Sequence, residues 1–73
     1  MREYFIIVFY SEEDKAWVAD IPDLKYCSAT GPTPAKAVAE VQKAKNAWLA
    51  SARAHGHPIP KPQYRPAIYQ VAG

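Results

Sequence analysis

Acidic side chains crowd the first third of this chain: Glu12, Glu13, Asp14, Asp20 and Asp23. Carboxylates that converge on one point hold Mg²⁺ and activate water for phosphodiester cleavage. Carboxylates spread over a surface instead draw in a basic partner and speed its capture. The spacing favours the second use. Glu12, Glu13 and Asp14 are consecutive positions of a turn and diverge, and only Asp20 falls inside a stretch that reads as strand.

The other chemistry-bearing residues are weaker signals. His55 and His57 make an H-x-H pair, yet no second His or Cys pair stands nearby. A His at a helix C-terminus complements the dipole and caps free carbonyls, so no metal is expected. Cys27 is the sole cysteine, which rules out an internal disulfide and fits a reducing cytoplasm. Beside Ala29 on a short strand it reads as a small buried hydrophobe rather than a nucleophile. Lys36, Lys43 and Arg53, with Lys61, Arg65 and the neighbouring tyrosines, are able to touch nucleic acid. A pI near 8.8 falls short of the usual basic footprint, so they read as solvated charges and no direct DNA binding is expected.

These residues need elements to hold them. Residues 33–56 have the only long helical period. Thr33 suits an N-cap and Pro34 a first turn, while Ala37, Val41, Ala44, Trp48 and Ala52 fall on one stripe, widened by Val38 and Leu49. Trp48 sits at the centre of that stripe and is read as core. Lys36, Ala39, Lys43, Asn46, Ala50 and Arg53 face water, and Lys45 flanks the stripe with its stem buried. Gly56 stops the helix at C′, and Pro58 and Pro60 forbid its resumption. Such a helix must lie on an apolar surface that the rest of the chain supplies.

That surface is a sheet. Residues 3–10 are β-branched and aromatic and read as a strand, with Tyr4, Ile6 and Val8 on one face and Phe5, Ile7 and Phe9 on the other. One helix covers one face, so Phe5, Ile7 and Phe9 are expected to meet a second subunit or the C-terminal tail. A charged turn at 11–15 leads to a second strand at 16–21, pairing antiparallel with the first. Pro22 ends it, 23–25 connect, and 26–30 read as a short third strand before Gly31 and Pro32 turn the chain into the helix. Residues 57–63, with alternating prolines, take an extended path, and 66–71 suit a last strand.

Seventy-three residues make one small domain. The apolar run near the N-terminus is too short to span a bilayer, and the acids after it do not suit a signal peptide, so a cytoplasmic, unprocessed protein is expected. Residues 1–33 hold three positive and six negative side chains, a net of −3, and residues 34–73 a net of +5. One end is acidic and the other basic.

The ordered set of Trp17–Ile21 followed by Pro22, Asp23 and Leu24, then Cys27, Gly31, Thr33, Ala37, Val41, Ala44, Trp48 and Leu49, and finally Gly56, Pro58, Ile59, Pro60 and Pro62, resembles the HicB-like antitoxin family. The likeness runs over residues 4–62. It implies a partial RNase H-like fold: a three-stranded antiparallel sheet, a helix across it and usually a further strand. It also implies neutralisation of a HicA-type toxin, a small basic RNA-cleaving protein. Two departures stand out. Lys25-Tyr26 replaces the Pro-Gly common in the family, and the eleven residues after Pro62 are too few for the usual DNA-binding domain. The second argues against autorepression by this chain and leaves room for a solitary member with no toxin.

The expectation is therefore an α+β, two-layer domain over residues 1–62. Three or four antiparallel strands carry one long helix on one face (β-β-β-α), and 63–73 form a tail with a possible final strand. The function expected is non-catalytic binding, with no cofactor, no membrane association and a homo-oligomer, most simply a dimer. The alternatives are a degenerate or weak RNase H-like nuclease and an orphan interaction domain.

Overall fold

The computed structural model describes residues 4–63. The final strand expected at 66–71 and the first residue of the strand expected at 3–10 lie outside them.

Three strands and one helix follow in the order β1 (Ile7–Ser11), β2 (Ala16–Asp20), β3 (Ser28–Gly31) and α1 (Pro34–Ala54). The strands form one antiparallel sheet in sequence order, with β2 central. Val8 stands opposite Ala19, which stands opposite Ala29, while Phe9 stands opposite Val18 and Val18 opposite Thr30. Cross-strand partners share a face, so this register sorts every side chain. Val8, Tyr10, Trp17, Ala19 and Ala29 point to the helix side; Ile7, Phe9, Val18, Asp20, Ser28 and Thr30 point away.

Local chemistry builds the helix. Thr33, in extended conformation, accepts the Lys36 N–H at 3.1 Å on Oγ1, and Pro34 occupies the first turn. At the other end Gly56 adopts φ of 68°. Its N–H donates to the Arg53 carbonyl at 3.3 Å and that of His57 to the Ala52 carbonyl at 2.8 Å, the paired closure that left-handed C′ glycine permits. Ala37, Val41 and Ala52 are buried, with Val38, Ala44, Trp48 and Leu49 packed around them.

The core lies between α1 and the β2–β3 half of the sheet: Ala19, Ile21, Leu24, Cys27, Ala37 and Val41. Leu24 comes from a loop, yet it is 1% exposed. The loop is tied down by its own backbone. Ile21 N–H reaches the Cys27 carbonyl at 3.0 Å, Leu24 N–H the Ile21 carbonyl at 3.1 Å, and Cys27 N–H the Leu24 carbonyl at 3.1 Å. These bonds turn Leu24 inward as a plug, leaving Tyr26 in the left-handed region (φ 62°) with its ring in solvent.

Two placements differ from the sequence reading. Val8, on the helix side, remains exposed, because α1 rides over β3 and β2 and leaves β1 largely uncovered. Trp48 stands at the margin of the core rather than its centre. Its indole N–H donates to the Lys25 carbonyl at 3.0 Å, pinning the 21–27 loop to the helix.

Candidate interaction surface

The feature that packing leaves open is β1. Among the described residues it pairs with β2 alone. Phe9 is 48% exposed on the face away from the helix, and Tyr10 is 46% exposed on the helix face. Val8 is exposed beside Tyr10, and the Tyr10 ring meets Trp17 edge-on at 5.5 Å. Exposed large apolar residues on both faces of one strand are what a folded chain ordinarily hides.

The strand runs straight into the acidic turn. Ser11 Oγ accepts the Asp14 N–H at 3.2 Å and donates to the Asp14 carboxylate at 3.0 Å, closing the turn on itself. Lys15 takes φ of 51° to bring the chain back into β2. Glu12, Glu13 and Asp14 are all exposed, so their charges project into solvent at the tip of the hairpin.

The five acids picked out from sequence fall into two groups. Glu12, Glu13 and Asp14 precede β2, whereas Asp20 ends it and Asp23 follows. From Ala16 to Asp20 the strand spans about 13 Å at ~3.3 Å per residue and holds the groups apart. Asp20 is half-buried on the open face between Ile7 and Ser28. Among the described residues no three or more His, Cys, Asp or Glu side chains gather as metal ligands would. Of the expected subunit face Phe5, Ile7 and Phe9, the register places Ile7 and Phe9 on one side of the sheet with Val18, while Phe5 precedes β1.

The remaining candidates have structural roles. Cys27 is a free thiol and is buried. Burial raises its pKa first and the Asp20 charge adds to this, against a smaller opposing pull from Lys45, so the thiol stays protonated at neutral pH. The His55 and His57 rings meet edge-on with centroids 6.0 Å apart, and His55 Nδ1 lies 2.8 Å from the Ser51 carbonyl. That contact requires the proton on Nδ1 and caps the last helical turn. An open groove of about 670 Å³ runs between the C-terminal half of α1 and the 26–27 corner, lined by Tyr26, Ala47, Trp48, Ser51, His55 and His57 among others. Lys36, Lys43 and Arg53 are exposed on the outer helix face, where Lys43 pairs with Glu40 at 3.0 Å. No described helix is long and apolar enough to cross a membrane.

Gly31 is the residue whose importance the sequence reading missed. Read there as a turn, it is the last residue of β3 and lies against the backbone of α1. Its position immediately before the Pro-Thr-Pro helix start is the signal that marks it.

Compared with protein-family models, with curated proteins and with solved structures, the chain matches none.

Proposed function

We propose that this chain is a non-catalytic inhibitory subunit of the antitoxin kind, cytoplasmic, which neutralises a small basic RNA-cleaving protein of HicA type by covering part of its surface. One observation carries the reading: an exposed acidic turn, Glu12, Glu13 and Asp14, continues a strand whose large apolar side chains Val8, Phe9 and Tyr10 are exposed. An acidic tip accelerates encounter with a basic protein, and the adjoining apolar strand supplies contact that persists after encounter. The acids stand at opposite ends of β2, an arrangement suited to surfaces rather than to a shared Mg²⁺.

The test is co-expression with a short basic protein encoded beside this chain. Growth arrest by that protein alone, relieved by this chain and restored by the combined Glu12→Gln, Glu13→Gln and Asp14→Asn substitutions, is the expected result. Mg²⁺-dependent RNA cleavage by the purified chain, lost on Asp20→Asn, would establish the nuclease alternative instead. Co-expression without any effect on growth would leave an interaction domain with a different partner.

A further inference from the structure

We infer that His55 and His57 form a two-imidazole site for a late first-row divalent metal ion, Cu²⁺ ahead of Ni²⁺ and Zn²⁺, at the C-terminal end of α1. The site uses none of the residues of the binding role proposed above and stands independently of it.

Two apart on a continuing helix, these side chains would not face each other. The way the helix ends brings them together. α1 stops at Ala54, His55 is its C-cap, and Gly56 turns left-handed at φ 68°. The His57 N–H then donates back to the Ala52 carbonyl at 2.8 Å. This reversal sets the His57 ring edge-on to that of His55, with centroids 6.0 Å apart. Two imidazoles that share one ion at metal–nitrogen distances of about 2.0–2.1 Å have centroids roughly 5–6 Å apart. Both residues are exposed, so rotation about their side-chain bonds aims two ring nitrogens at a common point.

The free nitrogen of His55 is set by its neighbour. Nδ1 lies 2.8 Å from the Ser51 carbonyl, which only accepts, so Nδ1 carries the proton. In the neutral ring Nε2 then holds the lone pair that a metal needs. A ring N–H given to a backbone carbonyl is how ligating histidines are ordinarily oriented, and it makes the other nitrogen more basic. Both rings stand at the C-terminal end of a 21-residue helix, where the dipole favours positive charge.

Donor type selects the ion. Imidazole nitrogen suits Cu²⁺, Ni²⁺ and Zn²⁺, whereas Mg²⁺ and Ca²⁺ take oxygen, and Cu²⁺ heads the affinity order. Cys27 lines the same groove, but it is 2% exposed and stays protonated, so it is not counted as a donor. Among the described residues no set of three His, Cys, Asp or Glu gathers. Two protein donors leave the remaining positions to water or to a donor from outside, which is the open form of a metal site.

Calorimetric titration of the untagged full chain with Ni²⁺, an ion that leaves thiols unoxidised, tests this. One ion per chain at micromolar affinity is expected, undisturbed by excess Mg²⁺. His57→Ala keeps the His55 cap, so its metal-free melt should match the parent while binding weakens by about tenfold or more. Cys27→Ala should bind as the parent does. Nitrogen-15 spectra of the imidazoles should place the His55 proton on Nδ1, and added Zn²⁺ should shift its Nε2 resonance. Binding that survives His57→Ala, binding lost with Cys27→Ala, or a His55 protonated on Nε2 overturns the site. Affinity no tighter than millimolar overturns it as well, since one exposed imidazole would explain that.

Discussion

Gly31 and Ala37 touch backbone to backbone: a Cβ built on Gly31 would fall 2.6 Å from the Ala37 amide nitrogen and 2.9 Å from the Lys36 carbonyl carbon. This approach seats the first turn of α1 on the end of β3. It therefore decides which strands the helix covers, and leaves β1 as the uncovered one. Since the crowding atoms are main chain, no rotamer change relieves them. Gly31→Ala is expected to cost at least 1–3 kcal/mol, the usual range of overpacking. In a domain of this size that lowers the melting temperature by about 4–8 °C per kcal/mol. A thermal melt checks it, and an unchanged midpoint would contradict the seating.

Gly56 offers a contrast, because nothing lies within 4 Å of the position a Cβ would take. Its requirement is purely conformational, a φ of 68°. Gly56→Ala should cost about 1–2 kcal/mol from the left-handed backbone alone. Gly56→Asn, which tolerates that region, should recover part of it, as denaturant midpoints would reveal.

Leu24 tests the plug. Although it belongs to a loop, its burial predicts that Leu24→Ala costs about 2–5 kcal/mol, a core value. Trp48→Phe removes the bond to the Lys25 carbonyl and part of the ring packed against the core, so it should cost more than the about 0.5–1.5 kcal/mol of the hydrogen bond alone. Urea unfolding of the two variants distinguishes a core plug from a surface loop.

Cys27 makes a pH prediction. Its folded pKa lies above the ordinary value of 9.0, chiefly through burial and then through Asp20. Between those two values the folded state holds a proton that the unfolded state has lost. The stability this contributes is complete below pH 9.0 and disappears as pH rises through the folded pKa. Cys27→Ala should flatten that alkaline slope. Thiol-specific reagents at neutral pH should label the native chain slowly and the unfolded chain fast.

The helix was legible in sequence because its determinants are local. Thr33, Pro34, the apolar stripe and Gly56 each act within a turn of their own position, and the observed bounds agree with them. The three-stranded antiparallel sheet was legible from β-branched runs broken by a turn and by Pro22. The ends of β1 were not. Expected over 3–10, the strand occupies Ile7–Ser11, since a strand ends where its partner stops pairing, and that depends on β2. The exposure of Val8 and the marginal place of Trp48 were hidden for a related reason. Periodicity says which side chains share a face, whereas the path of α1 across the sheet is set by the contact between Gly31 and Ala37. Leu24 was hidden because three loop hydrogen bonds, and no periodic pattern, turn it inward. The acidic turn was visible as charge, while its placement at the tip of the β1–β2 hairpin required the fold.

Amide hydrogen exchange on this chain, alone and bound to the basic protein it is proposed to neutralise, tests the binding surface most directly. The account predicts new protection at Val8, Phe9 and Tyr10 and in the Glu12–Asp14 turn, with the outer helix face around Lys36, Lys43 and Arg53 unchanged. Protection confined to that helix face, with β1 exchanging as before, would contradict it.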